Sequence, residues 1–354
     1  MTPKITVLLP VYNCELYIKT AVESILNQTF TDFEFLIIDD ASTDTTVAIL
    51  KKIVDPRIQL IQKSVNSGYT QSLNYGLQIA KGQYIARMDG DDISYPERFA
   101  KQVAYLDAHT EVVVCGTNHK IVGNVKLITL PLSNEAIKIG LLWGNRIPHS
   151  SAMIRKKILE DYGIQYDTAT EPAEDYHMWI QLLAFGKLYN LPEVLLEYRV
   201  YNNQVSRKRA EEQKKSDIAA KFRMFQYLHI AWNPVEREFL ERQFGKTELV
   251  SFQDLKIFKG IQKKLAIANS TLGFFESNLF NQYLIDLEVD VLRKCFLKQK
   301  RYSLLIYFEY LLAKYKWKAQ LPFRQELKLG LKSLMLWKTQ RFKPKTNPAM
   351  TTKH

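Results

Sequence analysis

The first 88 residues alternate between short apolar runs and amphipathic stretches, and this alternation restricts the fold more than any other feature. Ile5-Thr6-Val7-Leu8-Leu9 has strand length and is stopped by Pro10. Val11-Tyr12-Asn13 forms a turn, and Tyr17, Ile18, Val22, Ile25 and Leu26 then recur at helical spacing. Phe33 to Ile38 is a second apolar strand, ended by Asp39-Asp40-Ala41-Ser42-Thr43-Asp44, which supplies caps for a helix running toward Lys52. Ile58 to Ile61 is a third strand. Asn66-Ser67-Gly68 is a turn, Ser72 to Ala80 is helical, and Tyr84 to Met88 is a fourth strand after the break at Gly82. Strand and helix alternating in this way specify an α/β fold, a mostly parallel sheet flanked by helices.

In such a sheet the carboxyl ends of the strands share one edge, where ligands bind. Three of the four strand ends carry polar groups: Tyr12-Asn13, Asp39-Asp40, and Asp89-Gly90-Asp91-Asp92. Three carboxylates within four residues repel one another. A hard divalent cation, Mn2+ or Mg2+, is the simplest reason to hold them together, with phosphates and waters completing its shell. An EF-hand frame starting at Asp89 fails, because Ile93, Ser94 and Ala100 fall where that loop needs an oxygen ligand, Gly and Glu. No G-x-G-x-x-G follows the first strand and no G-x-x-x-x-G-K-[ST] occurs, so a phosphate would be neutralised by a metal, not cradled by glycines.

Beyond the fourth strand, Pro96 to Leu106 reads as a helix with Pro near its first turn, and Val112-Val113-Val114 as a strand. Asn118 to Arg146 is mixed. Pro148 to Ile154 leads into a helix; within it His149 reads as a structural or acceptor-side residue and not a ligand. Glu174-Asp175 opens a strongly helical run, Tyr176 to Leu183, with His177 pointing elsewhere on the helix. Leu188 to Tyr198 is strand-like but broken by Pro192, and only helical patterns follow Ser206. The expected division is therefore 1–206 and 207–354. Charge follows it: the net charge is +12, yet residues 1–206 hold 19 Lys and Arg against 23 Asp and Glu, while residues 207–354 hold 30 against 14. Such asymmetry points to a second partner for the C-terminal part. The three scattered cysteines form neither a disulfide framework nor a zinc pattern and suit a reducing cytosol. No leader and no run of about 20 apolar residues is evident, so the expected location is cytoplasmic, including the inner face of the cell membrane.

Four segments, in collinear order, resemble family-2 glycosyltransferases, the inverting enzymes of GT-A fold. They are Ile5 to Asn13, Asp32 to Ser42, Ala80 to Asp92 with its D-x-D triplet, and Glu174-Asp175 before Tyr176 and Trp179. The resemblance covers residues 4 to about 206. It implies that Pro10 and Tyr12 line the base and ribose pocket, that Asp40 accepts a hydrogen bond from the base (uracil N3–H in family members), and that Asp89 contacts ribose or sugar. It further implies that Asp91, with Asp89, holds the divalent metal on the diphosphate, and that Asp175 is the catalytic base. Asn74 and Arg87 lie in matching segments without an assigned role. One departure stands out: the family often carries Tyr-Arg-x-His after the last core strand, and here the segment is Tyr198-Arg199-Val200-Tyr201. The missing imidazole contact is then left to Tyr201, Arg207, Lys208 or water.

The expected donor is a nucleoside-diphosphate sugar, a UDP-sugar before others, and the expected acceptor a saccharide, lipid-linked, in surface polysaccharide synthesis. One base opposite the leaving group gives single displacement and inversion. Two other readings are a sugar-phosphate nucleotidyltransferase and a nucleic-acid-binding protein using the basic C-terminus. The first calls for a Gly- and Arg/Lys-rich loop where Pro10-Val11-Tyr12-Asn13 stands, and the second leaves the acidic crevice without a purpose. Between Arg293 and Lys353 there are 16 Lys and Arg and two acids, interleaved with large apolar side chains. This composition suits an anionic membrane surface, and equally an apolar stripe packed on the protein with lysines in solvent.

Overall fold

A computed structural model describes residues 2–124, 126–201, 204, 209–245 and 249–338. The chain forms two compact units. One comprises residues 1–229 with 272–279, the other residues 230–271 with those from 280 on. The division expected after residue 206 falls outside the described residues.

The first unit is built on a nine-stranded sheet. Its strands are β1 (Ile5–Val11), β2 (Phe33–Asp39), β3 (Ile58–Gln62), β4 (Tyr84–Arg87), β5 (Ile93–Ser94), β6 (Val112–Ile121), β7 (Leu127–Ile128), β8 (Met153–Arg155) and β9 (Lys187–Tyr198). They lie in the order β3-β2-β1-β4-β8-β6-β9-β5, with β7 on β6. The ladders β1–β2, β2–β3 and β1–β4 are parallel, as the alternation in the sequence requires; β6–β9 is also parallel, and β8 runs antiparallel between β4 and β6. Every residue of β1 is buried, the mark of a central strand covered on both faces. Helices α1 (Ile18–Leu26), α2 (Thr46–Leu50), α3 (Tyr69–Ile79) and α4 (Arg98–Ala108) cover it, and Ile18, Val22, Ile25, Phe99 and Leu106 join the core. Gly82 permits the approach into β4: a Cβ there would lie 2.2 Å from the Thr6 amide nitrogen.

Two local expectations change. The segment after Pro148 is a short 3-10 turn, His149–Ser151, followed by strand β8 and only then by a helix, and another helix precedes the turn. That earlier helix, α5 (Asn134–Leu141), lies in the stretch that reads as mixed; Ser133 caps it, its hydroxyl accepting from the Ala136 amide, and α6 (Lys156–Asp161) is the helix that follows β8. Met153 and Ile154 become a strand because β4 and β6 both offer them backbone partners, a tertiary demand that local spacing does not reveal. Pro192 does not end β9. It sits where the β6–β9 register shifts, and its carbonyl accepts from Asn118 Nδ2 at 2.7 Å. Helices α7 (Glu174–Leu182) and α8 (Ala210–Gln226) complete the main part of this unit.

The second unit is helical among the described residues, apart from a lone bridge between Arg301 and Lys338. Its helix Pro234–Phe244 starts with a capping box formed by Asn233 and Glu236. Inside this unit Lys259 pairs with Glu288 at 2.7 Å, and Lys264 with Glu236 at 2.6 Å.

Candidate active site

The centre of the site is a buried guanidinium. Arg87, at the end of β4, has no exposed surface. Its Nη1 donates to the carbonyls of Leu8 at 2.5 Å and Met88 at 2.8 Å, and its Nε donates to His149 Nε2 at 2.9 Å. Its Nη2 donates to Asp89 Oδ1 at 2.5 Å and to the Tyr69 hydroxyl, which itself donates to the same Asp89 oxygen at 2.5 Å. Asp89 Oδ2 accepts from Ser150 Oγ at 2.7 Å. Burial alone would raise the Asp89 carboxyl, but the Arg87 charge and the Tyr69 and Ser150 hydrogen bonds bring it down to about 2. His149 Nε2 accepts from both Arg87 and the Tyr166 hydroxyl, so the ring is neutral with its proton on Nδ1; burial and the Arg87 charge hold it far below the usual histidine range. Asn74 places Tyr166, exchanging two hydrogen bonds with its backbone at 2.8 and 2.9 Å.

The same segment that carries Tyr69 also holds Asp40. Asp40 Oδ1 accepts from the Ser67 amide, Ser67 Oγ and Ser72 Oγ and pairs with Lys63 Nζ at 2.7 Å; Oδ2 accepts from the Gly68 amide at 2.8 Å. Gly68 has φ of 99°, a conformation that glycine adopts without penalty. Residues 67–69 thus tie the end of β2 to the end of β4. Burial opposes ionisation of Asp40, yet Lys63 and the two amides hold its carboxyl below the ordinary value. Asp39 performs the turn chemistry, Oδ2 accepting from the Ser42 amide at 3.1 Å, while its buried Oδ1 has no partner in the described structure. Pro10 is buried within β1, and Tyr12, just beyond that strand, is 47% exposed. The following loop is knitted to the one after β2: Asn13 Oδ1 accepts from the Thr43 amide and the Cys14 amide donates to Thr46 Oγ1, both at 2.8 Å.

Asp175 lies in the first turn of α7, one turn before Trp179, whose ring packs edge-on against His149 at 5.9 Å. This places the carboxylate beside the Arg87–Asp89 network. Its Oδ1 accepts from the Tyr176 amide at 2.6 Å and its Oδ2 from Asn145 Nδ2 at 2.7 Å; the Ile147 amide donates to Asn145 Oδ1 and so sets the amide orientation. Burial raises the Asp175 carboxyl to about 7, with the Asp89 and Asp217 charges adding to it against the Tyr176 and Asn145 hydrogen bonds. Glu174 is also raised, by burial and by Asp175, and its Oε2 has no hydrogen-bond partner in the described structure. His177 faces away, its Nε2 toward the Ser216 carbonyl of α8.

The sequence profile of glycosyl transferase family 2 matches residues 6–164. A Haemophilus influenzae protein named as an uncharacterized glycosyltransferase is 33% identical over 218 residues, which is 58% of this chain and 68% of that one. The chain belongs to glycosyl transferase family 2. An Escherichia coli relative, UDP-Glc:alpha-D-GlcNAc-diphosphoundecaprenol beta-1,3-glucosyltransferase WfaP, is 30% identical over 59% of this chain and 82% of its own. The Staphylococcus aureus TarS fragment in complex with UDP-GlcNAc superposes with a TM-score of 0.55 at 19% identity, covering 82% of this chain and 81% of that one. A Pyrobaculum calidifontis mannosyltransferase, PcManGT, in complex with GDP-Man and Mn2+ gives 0.53 at 17% identity, over 82% and 88%. These likenesses establish the GT-A fold expected from the sequence.

Asp91 is a side chain that fits a divalent cation. Burial and the neighbouring Asp89 charge push its carboxyl up to about 6, against hydrogen bonds from Tyr201 and Gln204. A carboxylate whose charge is this poorly compensated is one that a cation would relieve. Asp89 is already committed, Oδ1 to two donors and Oδ2 to one. Among the described residues no three His, Cys, Asp or Glu side chains form a metal cage. The donor set therefore suits a cation held by one or two carboxylates with phosphate and water oxygens. The Tyr201 hydroxyl bonds the Asp91 side chain, and its ring lies 5.3 Å from that of Tyr17. Arg207 and Lys208 lie outside the described residues.

Arg87, Asn74, Tyr69, Ser150, Tyr166 and Asn145 are the residues of this network that sequence reading left without a role, and His149 is in the structural position expected of it. Only Arg87 gave a signal: a guanidinium inside an apolar strand must find a partner. Replacing it strands Asp89. Arg87→Met is expected to destabilise the protein by roughly 2–4 kcal/mol, the lower part of the range for breaking a buried pair because the Asp89 side chain keeps 26% exposure. Adding Asp89→Asn should return part of that loss in urea denaturation. Equal instability of the single and double variants would show that the ion pair is not the cause.

Proposed function

We propose that this enzyme transfers a sugar from a UDP-sugar to a hydroxyl of a lipid-linked saccharide, with inversion, in surface polysaccharide synthesis. The observation that supports the reading is that Asp175 and Asp91 both lie near enough to Asp89 for its charge to be felt at their carboxyls. The names of WfaP and of the TarS complex support the choice of UDP-sugar, and that of WfaP the lipid-linked acceptor. In this reading residues 1–206 are the catalytic part and 207–354 a helical basic region.

Each site residue has one task. Pro10 and Tyr12 line the base and ribose pocket. Asp40 accepts the uracil N3–H on Oδ2, which carries a single internal hydrogen bond. Asp89, fixed by Arg87, Tyr69 and Ser150, offers Oδ2, which carries a single internal hydrogen bond, to ribose, sugar or metal. Asp91 is the principal ligand of Mn2+ or Mg2+, and Tyr201 orients it. When bound, the cation supplies Lewis-acid stabilisation of the leaving diphosphate. Asp175, oriented by Asn145 and the Tyr176 amide, takes the proton of the acceptor hydroxyl as it attacks from the face opposite the diphosphate.

A nucleotide-sugar panel scored by thermal shift with Mn2+ present tests the assignment, since a ligand that binds the native state raises its stability by mass action. UDP and one UDP-sugar are expected to give the largest shifts; no shift with any uridine nucleotide would overturn the donor class. Asp40→Ala is expected to weaken UDP binding about ten- to hundredfold, the loss of one charge-assisted hydrogen bond, while pyrophosphate inhibition is unchanged. Calorimetry giving equal UDP affinity in both proteins would leave Asp40 as a turn anchor only.

A further inference from the structure

Two helices of the second unit, the largely apolar Leu304–Trp317 and the amphipathic Phe323–Leu334, turn large apolar side chains outward. Ordinary surface helices turn such side chains to the core. On the first, Tyr310 and Ala313 are buried, while Leu304, Leu305, Phe308, Leu311, Leu312 and Tyr315 are exposed, Leu305 by 66% and Tyr315 by 89%. On the second, Leu329 and Ser333 are buried, and Phe323, Leu327, Leu331 and Leu334 are exposed by 53–80%. Met335, Leu336 and Trp337 continue the exposed run. These 34 residues expose thirteen large hydrophobic side chains, where the described residues among 1–229 expose eight, so the surface is concentrated and not the scatter normal for a soluble face. The two helices are fixed to each other: Lys314 pairs with Glu326 at 2.7 Å, the Leu321 amide donates to the Tyr310 hydroxyl, and the Tyr307 ring lies over Gly330. An open groove of about 270 Å³ runs along the second helix, lined by Leu327, Leu331, Met335 and Trp337 and edged by Arg324, Lys328 and Lys332.

We propose that this outward face is a docking surface for an anionic lipid bilayer. Its charge selects the occupant. Residues 304–338 carry seven Lys and Arg and two acids, one of which, Glu326, is already paired with Lys314. Cations bordering exposed Leu, Phe and Trp complement anionic headgroups above an apolar layer. Two copies of such a face would repel, and a nucleic acid would gain nothing from the leucines. At 14 and 12 residues the helices extend about 21 and 18 Å, short of the roughly 30 Å hydrocarbon core, and no helix among the described residues is long and apolar enough to cross a membrane. They would lie in the interface. The inference rests on the proposed function only for its purpose, which is to hold the enzyme where a lipid-linked acceptor resides.

The test is co-sedimentation of the full chain with vesicles of phosphatidylcholine alone or with 30% phosphatidylglycerol (about a third of the lipid, to model an anionic leaflet), without nucleotide sugar. Binding is expected to be at least about tenfold tighter to the anionic vesicles and to weaken in 0.5 M salt, roughly the screening range of surface charge. Phe308→Glu with Leu327→Glu and Leu331→Glu should abolish it while leaving the melting temperature and the UDP-induced thermal shift unchanged, because all three side chains are already in solvent. Those two controls separate failure of this surface from failure of the donor assignment. Absent vesicle binding, binding unaffected by the triple change, or loss of a dimer in light scattering without lipid binding would each overturn the proposal.

Discussion

Asp175→Asn is expected to lower the transfer rate about 10²–10⁴-fold at saturating donor and acceptor, with UDP affinity within about twofold of the parent. The amide keeps the size of the carboxylate and its place in the first turn of α7, but it cannot take a proton. Both Asp175 oxygens already accept one bond within the protein, from the Tyr176 amide and from Asn145, so each retains a lone pair for the acceptor hydroxyl. The pH profile gives a second reading. A base works only when unprotonated, and the Asp175 carboxyl sits at about 7 through burial first and the Asp89 charge after it. Turnover under kcat/KM conditions should therefore rise as pH climbs from 6 to 8, with its midpoint at about 7, and the residual rate of Asp175→Asn should lack that inflection. Asn145→Ala should shift the midpoint upward, since it removes a hydrogen bond that favours the charged form. A near-normal rate in Asp175→Asn, together with a large loss in Glu174→Gln, would transfer the role to Glu174.

The part of the fold that four strand–helix repeats specify was legible, because each repeat is local and β1, β2 and β4 are almost wholly buried, which leaves continuous apolar runs in the sequence. Beyond β4 the elements α4, β6, α7 and β9 were still legible, but the way the strands pair was not. From there the sheet takes β8 antiparallel and β9 parallel to β6, pairings decided by which backbone edges remain open and not by the spacing within residues 148–154 or 188–198. The site divides in the same way. Carboxylates at strand ends announce themselves, because unpaired charges of one sign in a short stretch demand an explanation. The groups that hold them do not: Tyr69, Asn145, Ser150 and Tyr166 are ordinary polar residues in ordinary turns and helices, and only the closed chain brings them within 3 Å of Asp89, Asp175 or His149. The outward apolar faces of 304–317 and 323–334 were half legible. Helical spacing showed a stripe, but the direction it faces depends on which residues, such as Leu329 and Tyr310, the neighbouring helices cover.

Asp91→Ala should remove turnover and stabilise the metal-free protein, two effects of opposite sign from one side chain. Transition-state stabilisation by a bound cation is worth several kcal/mol, so losing its principal carboxylate should cost at least about a hundredfold in rate in the presence of Mn2+ or Mg2+, and EDTA should do the same to the parent. Stability follows from the proton. The Asp91 carboxyl is raised from 3.8 to about 6 by burial and by Asp89. The folded state thus holds a proton more tightly than the unfolded chain, and this favourable contribution, whole below pH 4, is lost as pH rises through about 6. At neutral pH the ionised group is a penalty of about 3 kcal/mol at most, which alanine abolishes. In EDTA at pH 7.5, Asp91→Ala should melt a few degrees above the parent; at pH 4 the gap should close. With Mn2+ and UDP the order should reverse, because only the parent gains a bound ligand. A variant that melts lower than the parent in EDTA, or full parental activity in EDTA, would remove Asp91 from the diphosphate site and return it to the turn after β4.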